Sequence, residues 1–112
     1  MRHFTELISG RAVYLSGPIS GLDYDQAVKN FKRAEDRCRM LGAVSVFNPT
    51  KEVPADATWK EAMKICGRAV TSGAYDLMVV LDIQPERFRS EGVKVETDLA
   101  FGHSIPVIYL TL

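Results

Sequence analysis

Residues 77–81, Leu-Met-Val-Val-Leu, form the most apolar run in the chain, with Asp76 and Asp82 at its two ends. The run is continuous rather than alternating. As a strand it needs cover on both faces, the situation of an inner strand in a parallel sheet. Parallel neighbours need long crossovers between them, usually helical ones. The remaining sequence is therefore tested for helices separating short apolar runs.

It supplies them in strict alternation. Ala12–Ser16 is a short β-type run ended by Gly17-Pro18. A helix follows over about 24–41, capped by Asp23 or Asp25. In it Val28, Phe31, Ala34, Cys38 and Leu41 recur at the spacing of one buried stripe, and Gly42 stops it. Residues 44–47 give a second strand closed by Asn48-Pro49, and 50–57 carry so many turn and polar residues that they read as a loop. Thr58 to Glu61 fits a capping box, after which Trp59, Ala62, Met63, Cys66 and Val70 line one face of a second helix. Ser72-Gly73 breaks it before the apolar run. A polar loop over 83–91, a third helix over 92–103 and a last strand over 105–110 complete the order β-α-β-α-β-α-β. That order predicts an α/β fold: a small doubly wound, Rossmann- or flavodoxin-like sheet of four parallel strands, order 2-1-3-4, with helices on both faces. The domain is expected to span 11–112, with 1–10 as an N-terminal extension.

Composition limits the partners. A chain of 112 residues, 46% hydrophobic, is long enough for one domain with a conventional core. Its 14 basic and 14 acidic side chains cancel, which argues against duplex nucleic acid or an anionic membrane held by bulk charge. No stretch has the length of a membrane span, and the first ten residues lack the apolar run of a signal peptide, so a cytoplasmic location is expected. Cys38 and Cys66 are far apart and are expected to be reduced. With only His3 and His103 available, no metal-ligand cluster can be written. Neither a metal nor a cofactor is expected.

In sheets of this kind ligands bind beyond the carboxyl ends of the strands, where strand order reverses, here between the first and third strands. Ser16, Gly17, Pro18, Ile19, Ser20 and Gly21 form the turn at that point. Its backbone N–H groups and two hydroxyls suit a phosphate, although a βα turn calls for small residues in any case. The sequence lacks the endings of a P-loop and of a dinucleotide fingerprint. Glu96 lies four residues after Gly92, three before Leu99 and four before Ala100. It therefore shares a helix face with packing residues near the helix N-terminus. A carboxylate there is costly unless something uses it, and the helix dipole favours its ionised form, a combination that suits a nucleophile. The other reading is a glutamate at the edge of the stripe, reaching water. Asp82 ends the third strand where a substrate hydroxyl or protonated base is met, or it serves as strand-terminal turn chemistry. Asp76 sits at the opposite end. Tyr14 reads as core or as a stacking surface, and His103 as a helix-terminus residue. Lys29, Lys32, Arg33, Arg37 and Arg39, interrupted by Glu35 and Asp36, read as a solvated helix face.

Together the opening VYLSGPISG, the later FNP, the TWKEAMK helix start, YDLMVVLD and the S-x-G-V-x-x-E-x-x-x-A segment followed by IPVIYL resemble the nucleoside 2-deoxyribosyltransferase-like superfamily. The layout is similar to its small bacterial and phage members, from Arg11 to Leu110. Ser90, Gly92, Glu96 and Ala100 match the spacing around the sugar-attacking glutamate of the family's deoxynucleoside monophosphate N-glycosidases. The resemblance implies cleavage or exchange at the N-glycosidic bond of a nucleoside or nucleoside 5′-monophosphate. Glu96 would attack the anomeric carbon, residues 17–21 and Ser90 would hold the phosphate or the sugar's 5′ end, and Tyr14 or Trp59 would stack on the base. It also implies a homo-oligomer, with residues 83–89 as lid or contact. Two positions depart from the pattern: Cys66 stands where relatives carry an aspartate, unless a shifted register brings Asp76 there, and Asp98 stands where the transferases usually have glycine. The alternative is a nucleotide-binding sensor or regulatory module of the same fold without turnover, and a further one is a scaffold that has no open pocket.

Overall fold

The computed structural model describes residues 2–19, 23–83 and 91–111. Ser20, Gly21, Ser90 and most of the loop expected over 83–91 lie outside them. Five helices and four strands are found there, in the order α1 (Arg2–Ile8), β1 (Ala12–Ser16), α2 (Tyr24–Met40), β2 (Ser45–Phe47), α3 (Pro49–Glu52), α4 (Trp59–Thr71), β3 (Leu77–Asp82), α5 (Glu91–Gly102) and β4 (Val107–Thr111). The sheet is all parallel in the order β2-β1-β3-β4, as the alternation of elements predicts.

Side chains alternate across the two inner strands and build a core on each face. Val13 and Leu15 of β1 join Leu77, Val79 and Leu81 of β3 beneath Phe31, Ala34 and Cys38 of α2. On the other face Tyr14, Met78 and Val80 pack with Phe47, Cys66, Val70 and Ala100. Residues 77–81 are buried throughout, as a strand covered on both sides must be.

Two segments differ from expectation. The N-terminal extension contains α1, whose Ile8 is fully buried in the α2-side core. Gly10 N–H donates to the carbonyl of Gly42 at 2.8 Å, joining this segment to the end of α2. At Gly42, φ is +98°, and an added Cβ would meet Ser9 Oγ at 2.9 Å, so that junction requires glycine. The segment read as a loop over 50–57 begins with α3. Asn48 caps that helix by accepting from Thr50 N–H, and Pro49 occupies its first turn. The capping box of α4 is present, with both reciprocal bonds between Thr58 and Glu61. Asp23 takes the N-cap position of α2, but its side chain makes no capping bond.

Candidate active site

A cavity of about 180 Å³ opens at the carboxyl end of the sheet. Its lining comes from the end of β1 (Gly17, Ile19), the start of α2 (Tyr24), α3 and the segment after it, one face of α4, and Gly92 and Glu96 of α5. The cavity therefore leans toward β2 and α4, rather than being centred between β1 and β3.

Glu96 is its floor. The side chain is only 6% exposed and accepts from two hydroxyls on the facing strand. Tyr14 Oη donates to one carboxylate oxygen, and Ser16 Oγ donates to the other at 2.8 Å. Residues 14 and 16 of a strand face the same side, so one strand delivers both donors to one helical side chain. The Tyr14 ring is fixed by parallel stacking on Phe47, centroids 4.7 Å apart, and by the edge of Tyr75 at 6.0 Å. Among the described residues, Glu96 thus has neutral donors and no cation as a hydrogen-bond partner. Burial pushes its carboxyl above the ordinary range, and the bonds from Tyr14, Ser16 and Cys66 pull it partly back. The net shift is upward, opposite to the direction expected for a carboxylate near a helix N-terminus. Burial and the nearby Glu96 charge push the Tyr14 phenol far upward, so it stays a proton-bearing donor.

Cys66 projects from α4 into the same cavity, 5% exposed. Burial, then the Glu96 charge, raise its thiol to about 11, which leaves it protonated at neutral pH. The position singled out as a departure is therefore in the site. The register shift that would have brought Asp76 there does not occur: the Asp76 carboxylate accepts from Ala12 N–H at 2.9 Å at the amino end of the strands.

The wall between α2 and α4 depends on a second buried carboxylate. Glu35, 5% exposed, accepts from Asn48 Nδ2 at 3.1 Å, from Arg39 Nε at 2.9 Å and from Lys51 Nζ at 3.0 Å. Asn48 also accepts from Thr50 through both its backbone N–H and its hydroxyl. The network anchors α3, which contributes Pro49 and Thr50 to the cavity, with Val53 just after it. Its three donors hold the Glu35 carboxyl below the ordinary range despite burial. Reading Glu35 as part of a solvated charged face is thus incorrect. The signal was present in its three-residue spacing before Cys38 on the buried stripe.

Of the other expected site residues, Gly17, Ile19 and Gly92 line the cavity, and Ser16 reaches it through Glu96. Pro18 is buried without lining it. At Gly17 an added Cβ would lie 3.0 Å from Leu81 Cβ and 3.1 Å from Phe31 Cζ, so close packing by itself favours glycine there. Asp82 is exposed, paired in register with Thr111 on the β4 side of the sheet, and is not part of the lining. Asp98 is exposed and also outside the lining, and His103 is exposed just beyond α5. Tyr14 is a positioning group for Glu96, leaving Trp59 as the aromatic side chain of the two named for stacking that lines the cavity. Sequence reasoning missed Tyr24, Thr50 and Val53, which reach the cavity through tertiary packing. Among the described residues no group of three or more His, Cys, Asp or Glu is placed to hold a metal ion, and no helix is long and apolar enough to cross a membrane.

A family model described as "Domain of unknown function (DUF4406)" matches residues 11–109. The chain belongs to that family. The match starts after α1, although Ile8 of that helix is part of the core. No curated protein and no solved structure matches significantly.

Proposed function

We propose that this DUF4406 protein cleaves or exchanges the N-glycosidic bond of a nucleoside or nucleoside 5′-monophosphate, with Glu96 as nucleophile. The observation that carries the reading is a buried carboxylate at the floor of an open cavity, held by two hydroxyls and with no counter-ion among the described residues. The residue pattern resembling the nucleoside 2-deoxyribosyltransferase-like superfamily supports it. A carboxylate neutralised by a salt bridge would be a poor nucleophile; one held by neutral donors keeps its charge for the developing oxocarbenium centre.

A Glu96 oxygen forms a bond to the anomeric carbon as the bond from carbon to base nitrogen breaks. The electron pair leaves with the base, which takes a proton from water or from the protonated Cys66 thiol. Water or a second base then attacks the glycosyl ester and gives up a proton to the Cys66 thiolate or the hydroxide left by the first step, and the carbon–oxygen bond to Glu96 breaks to free its carboxylate. Tyr14 and Ser16 aim the carboxylate throughout. Cys66 in place of a carboxylic acid favours a second reading, a nucleotide-binding module without turnover.

The test is incubation of the pure protein with ribo- and deoxynucleosides and their 5′-monophosphates, with and without a second base, reading released and exchanged bases by chromatography. Release or exchange that disappears in Glu96→Gln supports the enzyme. No release by any substrate, with thermal stabilisation by one of them, supports the binding module. If Cys66 has replaced a catalytic acid, Cys66→Asp raises turnover; an unchanged rate removes Cys66 from that role.

A further inference from the structure

The cavity is poorly equipped to protonate a leaving group. A carboxyl or an imidazolium is the ordinary source of such a proton near neutral pH. Among the described lining residues, Glu96 is the one carboxyl and the one charged side chain. Asp76, Asp82, Asp98 and His103 all lie outside the lining. The hydroxyls beside it are committed: those of Tyr14 and Ser16 donate to Glu96, and Thr50 Oγ1 donates to Asn48 Oδ1 at 2.7 Å. Tyr24 adds a hydroxyl to the lining but is exposed, open to solvent rather than enclosed with Glu96. Cys66 is the donor enclosed with Glu96, and burial raises its thiol to about 11, so it yields its proton reluctantly.

The floor also carries a carboxylate with no cation opposite it among the described residues. A neutral ring entering the cavity takes water from Glu96 and adds to the burial that already raises its carboxyl. That favours the protonated form, which is not a nucleophile. A positively charged ring does the reverse, because it brings the missing counter-charge and favours the ionised carboxylate. Such a ring also departs as a neutral molecule once it takes the electron pair of the broken bond, and needs no proton. The weak acid and the uncompensated carboxylate therefore select the same substrate.

We propose that the substrate is a nucleoside or nucleoside 5′-monophosphate whose base is a permanently cationic ring, a pyridinium or an N7-alkylated purine. This rests on the N-glycosidic reading of the same site and names its substrate class. A Glu96 oxygen bonds to the anomeric carbon as the carbon–nitrogen bond breaks, and the electron pair of that bond neutralises the departing ring. Water then attacks the glycosyl ester, its proton passes to solvent, and the Glu96 carboxylate is freed. Hydrolysis of a cationic substrate thus releases a proton in every turnover, whereas a neutral nucleoside returns that proton to its base.

The test uses pairs that differ in ring charge: nicotinamide riboside against its neutral dihydro form, and 7-methylguanosine against guanosine, with their 2′-deoxy counterparts and 5′-monophosphates. Base release is read by chromatography, corrected for spontaneous hydrolysis in buffer and compared with the Glu96→Gln protein. The kcat/KM of each cationic member is expected to exceed that of its neutral partner by at least about 10²-fold, the factor that a placed general acid would otherwise supply. A pH indicator is expected to register proton release matching the base released from cationic members. Cys66→Asp is expected to narrow the preference, raising cleavage of the neutral members more than that of the cationic ones.

Glu96-dependent cleavage with a smaller difference between partners, or with the neutral members preferred, overturns the charge selection and leaves the N-glycosidic reading standing. Release confined to the cationic members supports both, even where every neutral nucleoside is silent. No release above buffer from any member removes the N-glycosidic reading, and the substrate class with it.

Discussion

Among the described residues two glutamates are buried, with nearly equal exposure, Glu35 at 5% and Glu96 at 6%, and the molecule treats them in opposite ways. Glu35 has Arg39, Lys51 and Asn48 as donors, and its carboxyl is held below the ordinary range. Glu96 has Tyr14 and Ser16, and its carboxyl is pushed above that range. Burial raises both, so the difference lies in the donors. Cations turn one carboxylate into a tie between α2 and α3. Hydroxyls hold the other in place, facing a cavity, with no cation among the described residues to compensate its charge. Burial alone therefore does not mark a functional carboxylate; the partner set does.

The largest expected effect breaks the comparison at Glu96. Glu96→Gln should reduce base release by on the order of 10³-fold or more, because the covalent route is lost. The amide can still bond the Tyr14 and Ser16 hydroxyls, and a buried charge is removed, so the melting temperature at neutral pH should be unchanged or higher. Glu35 should behave inversely. Glu35→Ala leaves Asn48 Nδ2 without its partner and releases Lys51 and Arg39 to water, which is expected to lower stability by about 2 kcal/mol. Denaturant unfolding checks this. A stability loss at Glu96 as large as that at Glu35 would erase the distinction between the two sites.

The two glutamates also show what could be read without coordinates. Glu96 was legible because its spacing to Leu99 and Ala100 places it on a packed helix face. Its donors were not, because strand alternation shows that Tyr14 and Ser16 share a face but not which helix residue meets them. Glu35 was misread because neighbouring Asp36 and flanking basic residues masked its position on the stripe with Phe31 and Cys38. The sheet and its order followed from the alternation of apolar runs and amphipathic stretches. The helix α3 did not, since a four-residue helix has no periodicity to detect, although Asn48-Pro49 carried its capping signal. Asp82 was assigned by its place at a strand end, and the cavity's lean toward β2 leaves it outside.

A smaller effect sharpens the comparison by changing a donor instead of the carboxylate. Tyr14→Phe keeps the ring on Phe47 and removes the hydroxyl, so one of the bonds lowering the Glu96 carboxyl is lost and it moves further up. The acid limb of the kcat/KM profile should shift to higher pH. At neutral pH, activity should fall by about 10- to 100-fold, as positioning of the nucleophile also loosens. Ser16→Ala should move the limb in the same direction. A drop in rate with an unmoved limb would mean that Tyr14 acts only through packing.

The smallest effect is on stability, and its sign differs at the two sites. Glu96 has a raised carboxyl in the folded chain, so folding takes up a proton there. Its contribution is fully present below the ordinary glutamate range and is lost as pH rises through its raised folded value. Glu35 has a lowered carboxyl, so its contribution is present above the ordinary range and is lost as pH falls through its lowered folded value. Stability followed from acid to neutral pH should rise on the acid side through Glu35 and decline on the neutral side through Glu96. Glu96→Gln should flatten only the decline, and Glu35→Gln only the rise. Flattening of the acid side by Glu96→Gln would mean that its carboxylate is the paired one, reversing the assignment of tie and nucleophile.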